Sequence, residues 1–310
     1  MSGTGIKKAV SFVIVSYNCA EVIEDCINSV LQFGSDSVIV VDNASTDGTT
    51  SLLLPYKNRI TLLLNSHNKG YTIACNQGIR ESDRDYIFLL NPDAWLKNDS
   101  WTVLINILQQ NTSIGAAAPN LYFPNGELQN YVRRFPTIAA LLVEFFIPAK
   151  WWLKFPAYRK YTYADLDFSV QQMVEQPAGA ALVFSRTYQL DEAYFIYGSD
   201  LELCRRIYAD NKKIVLVPNA QVFHHQSKGG TGNSNSVLRV YLQLDALYGY
   251  AHYFRQYRSV LYAQLFRLVF ALALGIVAFF SLFKGTTVFS LKYERFRGFL
   301  KGKNFRHFKR

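Results

Sequence analysis

Four short apolar runs constrain this chain most: Val10–Ser16 (VSFVIVS), Ser37–Val41 (SVIVV), Ile60–Leu64 and Tyr86–Leu90 (YIFLL). Runs this short and this continuously apolar are strands, and the β-branched ones read as buried on both faces. The stretches between them carry helical spacing. In Ala20–Phe33 the apolar residues fall at Val22, Ile23, Cys26, Ile27, Val30 and Leu31, with Gly34 where a C′ glycine would end the helix. Asp47–Leu54 reads as a short helix stopped by Pro55, and Tyr71–Glu81 as another. Strands alternating with helices at this spacing imply an α/β fold with a mostly parallel sheet and helical crossovers.

Further along, Trp101–Gln110 and Asp200–Ala209 read as helices, and Gly115–Ala118, Pro177–Ser185 and Ile214–Pro218 as strands. The last is followed by the pair His224-His225 and a Gly/Ser/Asn-rich loop, Ser227–Ser236. A tyrosine-rich helix is expected from about Val237. The expected division is therefore an α/β domain over 1–236 and a helical, apolar and basic region over 237–310.

Half of the 310 residues are hydrophobic and 15% are aromatic, enough for a large core and incompatible with a disordered, collagenous or disulfide-scaffold chain. The net charge of +10 is uneven: Lys284–Arg310 holds nine Lys/Arg and one Glu, a net of +8. A nearly neutral body argues against nucleic acid as a partner. A basic tail beside an apolar stretch points to an anionic membrane surface. That stretch, Leu268–Phe283, has no charge and as a helix reaches about 24 Å, short of the ~30 Å hydrocarbon core. A span would leave Arg255, Arg258 and Arg267 on one side and the basic tail on the other, against the positive-inside rule. The expectation is a segment dipped into one leaflet, with Gly275 available to break it into a re-entrant hairpin; a span and a buried core helix remain open. Cys19, Cys26, Cys75 and Cys204 show no C-x-x-C spacing and read as reduced, buried thiols. Lys7-Lys8 before Ala9–Ser16 imitates a leader, but the apolar run is short and lacks a cleavage pattern, so a strand is expected there.

In an open parallel sheet, ligands bind beyond the carboxyl ends of the strands. Those ends carry Tyr17-Asn18, then Asp42-Asn43-Ala44-Ser45-Thr46-Asp47-Gly48, then Asn65, Asn68, Lys69 and Gly70, then Asn91-Pro92-Asp93. No glycine-rich phosphate loop follows the first strand. A carboxylate-held divalent cation is the alternative way to neutralise a phosphate.

In order along the chain stand VSFVIVSYN, VVDNASTDGT, NKGYTIACNQGI, FLLNPDA, AGAALVF, YFIYGSDLELCRRI and VPNAQVFHHQS. Over about residues 10–230 this series resembles the inverting nucleotide-sugar glycosyltransferases of family 2. Within them it looks most like the bacterial rhamnosyltransferase branch that builds surface polysaccharides. The resemblance implies a GT-A fold, Rossmann-like, and Mg2+ or Mn2+ as cofactor. It implies a dTDP- or UDP-sugar donor and a polyprenyl-diphosphate-linked saccharide acceptor. With the tail, it implies a peripheral or monotopic place on the cytoplasmic face of the inner membrane.

By the same resemblance Asp42 would bind the nucleoside, and Tyr17, Asn18, Asn68, Gly70, Asn76 and Asn91 would line the donor pocket. Asn76 reads equally as a buried helix asparagine, and Asp47 reads as the N-cap of the next helix. Asp93 would hold the metal, His224 would complete its shell or touch the diphosphate, and Asp200 would be the base that deprotonates the acceptor hydroxyl. Ser199 stands where the family has Glu, and Glu202 where it has Asp. Lys228–Ser236 could close over the donor as a lid. Phe145, Phe146, Trp151 and Trp152 form an aromatic patch, read either as a membrane-interface belt or as core or homodimer contact. Two other readings remain open: a UDP-hexose enzyme of the same fold, and a non-catalytic membrane-anchored scaffold.

Overall fold

A computed structural model describes residues 9–225, 236–304 and 306. The proposed lid falls almost wholly outside them. The chain divides into two compact units: Met1–Phe135, Thr162–Leu190 and Leu203–Asn233 form one, and Pro136–Tyr161, Asp191–Glu202 and Ser234–Arg310 form the other.

The first unit is built on one nine-stranded sheet. Its strands are β1 (Val10–Ser16), β2 (Val38–Asp42), β3 (Thr61–Leu64), β4 (Tyr86–Leu90), β5 (Ala94–Leu96), β6 (Ile114–Tyr122), β7 (Gln172–Met173), β8 (Ala181–Ser185) and β9 (Lys213–His224). They lie in the order β3-β2-β1-β4-β8-β6-β9-β5, with β7 beside β9. The helices are α1 (Ile23–Phe33), α2 (Thr49–Leu53), α3 (Tyr71–Glu81) and α4 (Thr102–Gln110). α7 (Ser199–Ala209), which follows two helices of the second unit, contributes its residues from Leu203 onward.

β3, β2, β1 and β4 are parallel, as the alternation of strands and helices predicts. Beyond them the sheet is mixed. β8 runs antiparallel to β4 and β6, and β5 and β7 run antiparallel to β9. The alternation along β1 splits the core in two: Phe12 and Ile14 pack on one face with Phe88, α1 and α4, and Val13 and Val15 on the other with α3. Trp101 is fully buried on the first face, edge-on to Phe12, and its indole N–H donates to the Phe33 carbonyl. Close packing on the second face explains Gly78, where a Cβ would meet a Val13 methyl at 2.5 Å.

Some local expectations are corrected. Gly34 does end α1, but with extended backbone; a Cβ there would lie 2.4 Å from the Val30 carbonyl, so space rather than a left-handed turn selects glycine. α2 ends at Leu53, just before Pro55, and a 3-10 turn, Leu54–Tyr56, follows it. The cap position of α2 is Gly48, at φ +96, and Asp47 acts from one residue earlier: its Oδ1 accepts from the Thr49 N–H and hydroxyl. Burial opposes the charge on Asp47, but hydrogen bonds from Thr49 and Ala20 outweigh it and hold its pKa below the usual range. The strand at Gly115–Ala118 extends to nine residues, and the one at Ile214–Pro218 to twelve, which brings His224 into β9. All four cysteines are free and buried.

The second unit is helical, with α5 (Ile138–Phe146), α6 (Pro156–Tyr161), α8 (Ser236–Tyr257), α9 (Val260–Ser281) and α10 (Thr286–Leu300). α9 runs unbroken through Gly275; the chain turns back at Gly285, which takes φ +101. An α-helix absorbs one glycine at a cost of about 1 kcal/mol, whereas a turn needing positive φ requires one. The aromatic patch divides. Phe145 and Phe146 pack on Phe270, Trp152 packs on Tyr158, and Trp151 is exposed.

Candidate active site

The strand order fixes where a ligand can sit in the first unit. From β1 the chain moves outward to β2 and β3, then returns to β4 on the other side of β1. The loops after β1 and β4 therefore diverge, and a crevice opens at their carboxyl ends. Tyr17 and Asn18 leave β1 there, and Asn91 and Asp93 leave β4.

The loops after β1 and β2 are tied together. Asn18 takes φ +48, and its side-chain oxygen accepts from the Thr46 N–H at 2.7 Å. Asp42 is the hub of the second loop. It is 2% exposed, and its carboxylate accepts from Ser16 Oγ, Ser45 Oγ, Ser45 N–H and Thr50 Oγ1 at 2.6–3.1 Å. Ala44 beside it takes φ +66, held by this network.

An amide ladder follows. Asn43 donates to Asn68 at 2.9 Å, Asn65 donates to Asn43 at 3.1 Å, and Asn65 exchanges hydrogen bonds with Gln77. Asn68 also accepts from the Gly70 N–H. Gly70 takes φ +95 and ψ 154, a region open essentially only to glycine. Asn76 is 1% exposed and clamps Leu190 by both backbone groups, at 2.8 and 2.9 Å. Asn91 receives the Tyr71 hydroxyl at 3.5 Å.

Asp93 and His224 meet because β5 pairs with β9. The register sets Ala94 opposite His224, and the His225 N–H donates to the Asp93 carbonyl. Asp93 Oδ1 then lies 3.2 Å from His224 Nε2, with both side chains buried. Neither β5 nor its direction was expected from sequence.

Gln129 and Tyr131, also unforeseen, orient the histidine. Gln129 Nε2 donates to the His224 carbonyl at 2.6 Å. That contact fixes the amide orientation, since the opposite one would set two oxygens together. Gln129 Oε1 accepts from the Tyr131 hydroxyl and lies 3.1 Å from His224 Nδ1. Burial and the Asp93 charge push the Tyr131 phenol far up, so it remains a donor. An amide oxygen only accepts, so Nδ1 carries the proton. Nε2 thus faces the Asp93 carboxylate, and the pair is attractive only with positive charge at Nε2, a proton or a metal ion. Among the described residues no third His, Cys, Asp or Glu joins them.

In the second unit, Gly198 at φ +96 leads into α7, whose first turn carries Asp200 and Glu202. Asp245, buried on α8, accepts from the Ile196 and Tyr197 N–H groups at 3.0 Å and holds this lead-in. Glu202 is 1% exposed and accepts from the Tyr257 hydroxyl at 2.7 Å. Asp200 is half-buried and accepts from the Leu201 N–H.

The sequence profile of glycosyl transferase family 2 matches residues 11–174, more than half of the chain. An N-acetylglucosaminyl-diphospho-decaprenol L-rhamnosyltransferase of Mycobacterium tuberculosis is 27% identical over 212 residues, 62% of this chain and 67% of that protein. A poly-β-1,6-N-acetyl-D-glucosamine synthase of Staphylococcus aureus is 27% identical over 117 residues, 36% of this chain and 28% of that protein. A crystal structure of GalNAc-T7 with UDP, GalNAc and Mn2+ superposes with a TM-score of 0.55 at 14% identity, over 94% of this chain and 56% of that one. The fold is thus the GT-A fold expected from sequence. With the profile spanning the strands and loops that form the crevice, the chain belongs to glycosyl transferase family 2.

Proposed function

We propose that this protein is a metal-dependent inverting glycosyltransferase. It moves L-rhamnose from dTDP-rhamnose to a polyprenyl-diphosphate-linked saccharide during cell-surface polysaccharide synthesis. The observation that carries this is the Asp93–His224 pair, set by Gln129 at the crevice of a family 2 chain. The mycobacterial relative's name supports rhamnose and a lipid-linked acceptor. The UDP in the GalNAc-T7 structure favours a second reading, a UDP-hexose donor.

The Asp93 carboxylate suits Mg2+ or Mn2+, and the imidazole nitrogen of His224 would tilt the pair toward Mn2+, the less oxygen-bound of the two. The ion, when bound by Asp93 and His224, supplies neutralising charge for the leaving diphosphate. Gln129 keeps the His224 proton on Nδ1 and leaves Nε2 to ligate. Asn18, Asp42, Asn68 and Gly70 hold the loops of the donor pocket in one arrangement. Asp200 accepts the acceptor hydroxyl proton as its oxygen bonds the anomeric carbon and the bond to the diphosphate oxygen breaks.

Calorimetry with dTDP, UDP and GDP, each with and without Mn2+, tests this reading. Metal-dependent binding of dTDP is expected. Preference for UDP moves the donor to a hexose, and binding of none would overturn the enzyme in favour of the scaffold.

The acceptor's lipid supports a place on the cytoplasmic face of the inner membrane. α9 exposes an apolar stripe, Leu261, Leu265, Leu268, Leu272, Ile276 and Phe279, and buries the opposite one, Phe266, Phe270, Leu274 and Ala278. The helix has 22 residues and reaches about 33 Å, longer than the ~24 Å expected and, by length and composition, enough to cross a membrane, so only its one-sided exposure speaks for lying flat. A one-sided stripe with Arg255, Arg258, Arg267, Arg297 and Lys301 exposed nearby in the chain is the pattern of a helix lying in the membrane surface. Bimane labels on cysteines placed at 261, 272 and 279 are expected to be quenched to similar, shallow depths in vesicles containing phosphatidylglycerol. Depths graded along the helix would mean a span, and no quenching, with dimers in ultracentrifugation, would mean a second copy covers the stripe.

A further inference from the structure

The second unit holds an open cavity of about 290 Å3 lined by Glu144, Phe145, Gln243 and Tyr250. That is the bottom of the range for ligand pockets, the scale of one sugar ring rather than a nucleotide sugar. Its walls are braced. Phe145 stands edge-on to Tyr250 at 6.3 Å and to Phe270 at 5.8 Å. Its four side chains supply a carboxylate, an amide, a phenol and an aromatic face. A pyranose needs this set, with hydroxyls that both donate and accept and an apolar C–H face.

A second observation comes from behind the wall. Arg295 on α10 is only 5% exposed, and its Nη1 donates to Gln243 Oε1 at 2.8 Å. Among the described residues this is its only side-chain hydrogen bond, and its Nε is buried without one. Burial pulls its pKa down. A buried guanidinium facing only a neutral amide is a positive charge without its counter-charge. Pinning Gln243 by its oxygen also leaves the amide N–H groups for a ligand. Tyr250 stays protonated: burial raises its phenol well above the usual value, as do Tyr161, to which it is also hydrogen-bonded, and Glu144, with the Asp200 charge acting too.

We propose that this cavity is the acceptor subsite. It binds the terminal sugar of a glycosyl diphosphate through Glu144, Tyr250 and Gln243, with Phe145 against the ring and Arg295 pinning Gln243 from behind. The proposal rests on the glycosyltransferase reading for its ligand. Arg295 acts through Gln243 and is a positioning residue.

The test uses the full-length protein and one probe, N-acetylglucosaminyl diphosphate carrying a farnesyl chain. Probe binding is read by saturation-transfer NMR, acceptor KM by transfer from dTDP-rhamnose, and folding by dTDP calorimetry. Glu144→Gln and Tyr250→Phe are each expected to raise acceptor KM and weaken probe binding about ten-fold, with the dTDP Kd unchanged. Arg295→Lys, which keeps the charge but not the fork that pins Gln243, is expected to raise KM with little effect on kcat. Unchanged KM and probe binding in both Glu144→Gln and Tyr250→Phe would overturn the subsite and leave the transferase reading standing. Loss of probe binding in a protein that binds no nucleotide would support the subsite and sink the transferase reading.

Discussion

Replacing Asp93 by alanine is expected to remove the metal-dependent part of nucleotide binding and to lower kcat/KM for transfer by about 10^3-fold. Asp93 is the one carboxylate in contact with His224 Nε2, and no third ligand-type side chain joins the pair among the described residues. In the proposed metal site, no other described side chain can take the place of one that is lost. The variant should fold, because Asp93 lies in the short turn between β4 and β5 and is not a member of the hydrophobic core. Gln129→Ala serves as the graded companion. It leaves both ligands in place but frees the imidazole to turn and to move its proton to Nε2. A loss of about 10–100-fold in metal affinity is expected, the range for removing an outer-shell partner. Calorimetric titration of Mn2+ in the presence of dTDP reads both variants. Unaltered Mn2+ dependence in Asp93→Ala would mean that Asp93 and His224 are only an ion pair.

The elements legible in the sequence are those whose pattern is local. β1 and β4 are continuous apolar runs, and α3 has helical spacing between a glycine and a serine; their limits agree with the reading to the residue. The carboxyl-edge residues were legible for the same reason, since each follows a recognisable strand. What escaped depends on partners far away in the chain. Ala94–Leu96 follows Asn91-Pro92-Asp93 and reads as loop; it becomes a strand only by pairing with Val222–His224. The direction of β8 is likewise absent from its own sequence, because a strand buried on both faces looks alike in either sense. Gln129 shows nothing locally, as its function depends on a histidine 95 residues on. Gly275 and Gly285 differ in that the first sits in an uninterrupted apolar run, and only the second has a charged neighbour and two threonines to begin a new helix.

Asp200→Asn is expected to lower kcat by about 10^2–10^4-fold while leaving dTDP and Mn2+ binding intact. The carboxamide keeps the size of the side chain and the acceptor oxygen for the Leu201 N–H, but cannot take up a proton. Glu202, two residues on, is the only other acid in that turn, and it is poorly suited to replace it. Its carboxylate is 1% exposed and engaged by Tyr257, which leaves an acceptor hydroxyl no open approach to it. Ser199 stands where the resemblance would place an acid, so in the proposed mechanism proton removal falls on Asp200 alone. Glu202→Gln separates the roles. It is expected to lower thermal stability through the buried Tyr257 contact and to change kcat far less than Asp200→Asn does. The reverse ordering, with Glu202→Gln inactive and Asp200→Asn active at equal nucleotide affinity, would transfer the base to Glu202 and make Asp200 a helix-start residue.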